Sequence, residues 1–143
     1  MQVLVDSSVW SLALRRANAR GNSDVPLAQP SQAVEILRDL IGDGRAVMIG
    51  AIRQEVLSGI KQAEQFKRLQ QALAGFEDVA LLRTDYELAA EFFNTCRGKG
   101  IQGRNIDFLI CAAASARELP ILSTDQDFIR FAKHLPIKLL AIR

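Results

Sequence analysis

Four acidic residues of this chain stand where a carboxylate is costly to place. Asp6 closes the apolar run Val3-Leu4-Val5, and Glu55 falls between Ile52 and Val56 at the border of a helical apolar stripe. Asp107 opens a segment, Phe108 to Ala114, that is apolar almost all round, and Asp125 follows the apolar pair Ile121-Leu122. Each has a bland reading. Asp6 and Asp125 suit helix N-caps, a role Asp127 could share with Asp125, and Glu55 suits the exposed edge of its stripe. Asp107 is harder to place, because a helix N-terminus favours a carboxylate by only about 0.3–1 kcal/mol, less than desolvating an unpaired charge costs. If the fold gathers the four, their repulsion raises their pKa values unless a cation joins them. Oxygen donors with no histidine or cysteine beside them suit Mg²⁺ or Mn²⁺ and argue against zinc. One or two such ions activate water and stabilise the leaving oxygen of a phosphodiester.

Gathering them requires an alternating pattern of strands and helices. Val3 to Val5 read as a strand, and Ser7 or Ser8 caps a helix predicted from Ser8 to Arg16. Residues 17–30, with Gly21, Asn22, Ser23, Pro26 and Pro30, read as a long loop that carries Arg20. Ser31 caps a second helix with Ala33, Val34, Leu37, Leu40 and Ile41 at helical spacing, ended by Gly42 and Gly44. A strand at Ala46 to Ile49 follows, then helices over Ala51 to Ile60 and Ala63 to Ala74. Val79 to Leu82 read as a third strand, and Thr84 with Glu87 as a capping box opening a helix to Arg97. After Gly98, Gly100 and Gly103 a helix spans Asn105 to Arg117. Ile121-Leu122 form a short strand, Thr124-Asp125 turn into a helix to His134, and Lys138 to Ile142 form a last strand. This order predicts a single α/β domain over residues 1–143, a central, mostly parallel sheet flanked by helices. In such sheets ligands bind beyond the carboxyl ends of the strands, which places Asp6 and Asp125 on one edge.

Composition narrows the function classes. Of the 143 residues 49% are hydrophobic and 24% charged, which suits a soluble domain with a sizeable core. No apolar run approaches the roughly 18 residues of a membrane span, and no signal-peptide pattern opens the chain. Cys96 and Cys111 fall in helical segments without metal-type spacing, so both are expected to be buried free thiols in a reducing, cytoplasmic setting. The formal net charge is only +2, yet the basic residues are mostly arginine, the better partner for phosphate. Arg15, Arg16 and Arg20 form one cluster, and Arg97, Lys99 and Arg104 another. Arg104, just ahead of Asp107, is a candidate contact for a substrate phosphate.

The stretches Val5-Asp6-Ser7-Ser8-Val9-Trp10, Arg53 to Gly59, Asn105 to Ala113 and Leu122 to Phe128 resemble, in order and spacing, the four signatures of PIN domains. A single domain of this size is similar to the VapC toxins of toxin–antitoxin pairs. That resemblance implies a metal-dependent endoribonuclease acting on structured RNA such as tRNA or rRNA, held inactive by a cognate antitoxin and usually homodimeric. Carried over by residue, it assigns Asp6, Glu55, Asp107 and Asp125 to the metal site. Ser7 and Ser123 stand where the family has small hydroxyl residues near the metal, and Asp127 is the alternative to Asp125. Other PIN nucleases of RNA processing and a non-catalytic PIN-like interaction module are the neighbouring readings. A haloacid-dehalogenase-like phosphotransferase would need an acid where Ser8 stands, and no G-x-G-x-x-G follows the first strand for a dinucleotide.

Overall fold

A computed structural model describes residues 1–19 and 32–142. Among these, β1 (Val3–Val5), β2 (Ala46–Val47) and β3 (Ile121–Leu122) form a sheet of order β2-β1-β3, parallel throughout. The first strand of the chain is therefore the central one, and all three of its residues are inaccessible to solvent. Burial on both faces explains why it reads as an unbroken apolar run rather than an alternating one.

The helices are α1 (Ser7–Ala19), α2 (Gln32–Gly42), α3 (Gly50–Leu57), α4 (Ala63–Leu73), α5 (Arg83–Gly98), α6 (Asn105–Ala116) and α7 (Asp127–Ala132). α6 carries the heaviest apolar load: Phe108 and Ile110 to Ala114 are all buried, so it runs through the core and α5 packs along it. Phe108, Phe128 and Phe131 meet there with ring centroids 4.9 and 5.4 Å apart, and Phe93 of α5 closes on Phe108 edge-on. Cys96 and Cys111 lie in this core as free thiols, as expected.

Several expected boundaries move. α1 continues through Ala19, beyond Arg16; the rest of the expected loop, the Ser31 cap and Arg20 lie outside the described residues. Ile41, placed in the buried stripe of α2, is 41% exposed. The strand expected at Val79 to Leu82 does not form, a single parallel bridge of Met48 to Asp78 standing just before it, and the one expected at Lys138 to Ile142 reduces to a bridge of Ile121 to Leu139. These bridges extend the sheet by one contact at each edge, so the short apolar runs pack against the core without forming a ladder. The expected Thr84–Glu87 box is replaced by Asp85, whose carboxylate accepts the Leu82 N–H at 2.8 Å while Leu82 caps the helix. Asp85 is tied in turn to Arg117, beyond the end of α6, by two bonds of 2.9 Å. That tertiary partner decides which acid takes the cap.

Candidate active site

Asp6 stands one residue beyond β1. Its N–H extends the ladder to Leu122 O at 2.9 Å, and its C=O accepts the Val9 N–H at 3.1 Å, starting α1. Asp6, rather than Ser7 or Ser8, thus holds the cap position. Trp10, buried beside it, donates its indole N–H to Val5 O at 3.1 Å and fixes the strand-to-helix turn. The Asp6 side chain is 2% exposed. Among the described residues its carboxylate is met by serines: Ser123 Oγ at 2.9 Å, Ser8 N–H and Ser7 Oγ each at 3.4 Å. Burial pushes its carboxyl above the ordinary 3.8, an effect that hydrogen bonds from Ser8 and Ser123 only partly offset.

Ser7 and Ser8 occupy the first turn of α1, where adjacent side chains diverge by about 100°. Ser7 donates to the Glu55 carboxylate, bringing α3 to the strand end. Ser8 accepts the Thr124 N–H at 3.1 Å and lies 3.4 Å from Ser123 Oγ, tying α1 to the segment after β3. Ser8 was given only a capping role on sequence grounds. A pair of adjacent hydroxyls at a helix start is the signal that could have marked it as a bridge.

Asp107, in the first turn of α6, is 1% exposed and accepts the Arg104 N–H at 3.0 Å. The Arg104 guanidinium then bridges two acids, donating to Asp107 Oδ1 at 3.0 Å and to Glu55 Oε2 at 2.9 Å. Cys111 lies one turn further along α6, and burial with the nearby Asp107 charge pushes its thiol far up, so it stays protonated and unreactive. Asp125 is half-buried after β3; its N–H goes to Ser123 Oγ at 3.0 Å, and its Oδ1 accepts the Asp127 N–H at 2.9 Å where α7 begins. Asp127 pairs with Arg130.

Two relays therefore run from Asp6. In one, Ser7 Oγ lies 3.4 Å from Asp6 and gives its proton to Glu55, which Arg104 joins to Asp107; the other passes through Ser123 to the Asp125 backbone. Of the basic residues expected to face phosphate, Arg104 is at this site, whereas Arg97 lies over the Phe93 ring, 5.5 Å from its centroid. The donor set is carboxylate and hydroxyl oxygen, which suits a hard divalent cation, and a buried, serine-solvated Asp6 is a carboxylate such a cation would stabilise. Among the described residues no three acids converge as a ready cation cage. Arg104 supplies the positive charge between Glu55 and Asp107 instead.

With this geometry in place, comparison with known proteins is informative. No curated protein sequence matches the chain. The fold is shared with the crystal structure of VapBC2 from Rickettsia felis bound to a DNA fragment from their promoter, at a TM-score of 0.71, 16% identity and 98% coverage of both chains. It is also shared with the crystal structure of FitAcB from Neisseria gonorrhoeae, at a TM-score of 0.70, 16% identity and coverage of 98% of this chain and 97% of that one. PIN domains are in general nucleases that use divalent metals. The PIN domain pattern matches residues 3–134, nearly the whole chain, which therefore belongs to the PIN domain family.

Proposed function

We propose that this PIN domain is the toxin of a type II toxin–antitoxin pair, a Mg²⁺- or Mn²⁺-dependent endoribonuclease of the VapC kind silenced by its cognate antitoxin. The observation that supports the reading is that Asp6, Glu55 and Asp107, from three distant segments, are linked through Ser7 and Arg104 near the carboxyl end of the central strand. When bound, the metal supplies an activated water and charge neutralisation at the scissile phosphate.

The chain's own residues do the rest. Asp6 and Asp107, almost fully buried, are the fixed ligands, held by the strand-to-helix turn and by the start of α6. Glu55 and Asp125 are more accessible and complete the acidic set on the solvent side. Ser7 and Ser123 orient the Glu55 and Asp6 carboxylates by donating to them, leaving their remaining lone pairs for the cation. Among the described residues Arg104 is the basic side chain that reaches these acids, and it contacts the non-bridging oxygens of the phosphodiester. RNA, an antitoxin and a second copy of the chain are the proposed partners, in the cytoplasm.

Protein purified free of antitoxin should cleave tRNA or rRNA with Mg²⁺ or Mn²⁺ and stop on addition of EDTA. Asp107→Asn should lower cleavage at least about a hundredfold while the circular dichroism spectrum is unchanged. Cleavage by Asp107→Asn at the wild-type rate would overturn the site assignment. Folded protein inert on every RNA with either metal would favour a non-catalytic interaction module.

A further inference from the structure

Arg104 makes a set of contacts that a plain phosphate-binding arginine would not. Its fork spans Glu55 Oε2 at 2.9 Å and Asp107 Oδ1 at 3.0 Å, with Nε a further 3.4 Å from Asp107 Oδ2. Glu55 and Asp107 are two of the acids proposed above to hold the divalent cation. A guanidinium does not leave them by losing its proton, since arginine stays charged in proteins. It can leave only by moving. Its side chain is 58% exposed, whereas that of Asp107 is 2%, so the arm is free to swing while the acid stays fixed.

We propose that Arg104 is a built-in competitor of the divalent cation: guanidinium and metal exclude one another at Glu55 and Asp107, and metal loading releases the arm toward the substrate phosphate. This rests on the metal-dependent reading above and adds a regulation of that site. Two consequences follow from charge alone. Bare protein keeps Glu55 and Asp107 partly neutralised without metal, and metal affinity is lower than the acids by themselves would give. By linkage, a phosphodiester that engages the released arm raises metal affinity by the same factor that metal raises its own.

The test is Mn²⁺ binding, followed by the electron paramagnetic resonance signal of the free ion at fixed ionic strength, in wild type, Arg104→Gln, Arg104→Lys and Asp107→Asn. Removing the two ion pairs should tighten Mn²⁺ binding about tenfold in Arg104→Gln, with Arg104→Lys, which keeps the charge but loses the fork, in between. A folded Arg104→Gln that binds Mn²⁺ with wild-type or weaker affinity overturns the competition. Should Arg104→Gln fail to fold, Arg104→Lys decides: tighter binding than wild type supports the competition, and equal or weaker binding overturns it. If wild type and both arginine variants bind no more Mn²⁺ than Asp107→Asn, the metal reading itself falls and this one with it. Binding by wild type that Arg104→Gln leaves unchanged removes only the arginine's part.

Discussion

Asp6 is held at a cost. Its carboxyl is buried and answered by serine hydroxyls and an amide, so the folded state binds the Asp6 proton more tightly than the unfolded chain does. The stabilising protonated form is fully present below the unfolded value and is lost as pH rises through the raised folded one. Asp6→Asn, which keeps the shape and removes the charge, should therefore melt at a higher temperature than wild type at pH 7 in EDTA. The difference should vanish in acid below the ordinary 3.8. Calorimetry across that range checks it, and equal melting temperatures at pH 7 would remove the burial cost. The same variant should lose cleavage, the usual exchange of stability for function at a charged site.

At the scale of the element, the start of α6 is set by packing as much as by capping. A Cβ on Gly103 would lie 2.7 Å from Phe131 and 2.8 Å from Phe108, inside the aromatic cluster. Gly103→Ala should cost about 1–3 kcal/mol by overpacking, read in urea melts. Because Arg104 is the next residue, its Mn²⁺ affinity should also change. A melt identical to wild type would show that the rings give way freely. Sequence periodicity identified every helix of the described chain, because each carries an apolar stripe or glycine punctuation that owes nothing to distant residues. The outer strands failed for the opposite reason: Val79 to Leu82 has strand-like residues, and whether a ladder forms there depends on the Met48 edge opposite. Asp6, Glu55, Asp107 and Asp125 stood out in the sequence as candidates, since a carboxylate beside an apolar run is locally anomalous, and the fold links the first three through Ser7 and Arg104. The role of Arg104 between Glu55 and Asp107 was not legible, because Glu55 is 49 residues away and nothing local signals it.

For the molecule as a whole, the start of α5 and the residue after α6 are tied by an ion pair whose acid is buried. Arg117, after α6, holds Asp85 of α5 with its fork and also donates to Ala80 O at 3.0 Å and Ala113 O at 3.1 Å. The guanidinium holds the Asp85 carboxyl below its usual range, so this stabilisation is present above the unfolded pKa and is lost as pH falls through the depressed one. Arg117→Ala strands a carboxylate that is 3% exposed and should cost about 3 kcal/mol at pH 7, with cleavage per folded molecule unchanged. A drop in specific activity at full folding would show that the staple reaches the site. One last consequence lies in the order in which the chain is made. The central strand is synthesised first, yet Val5 pairs with Leu122 and Asp6 is held by Ser123. On the ribosome, β1 can pair with β2 early, but its ladder to β3 waits for residues more than a hundred positions away, a non-local pairing that folds late. A nascent chain that stops short of β3 and Ser123 therefore carries Asp6, Glu55 and Asp107 in sequence but lacks the strand and the hydroxyl that hold Asp6 in place.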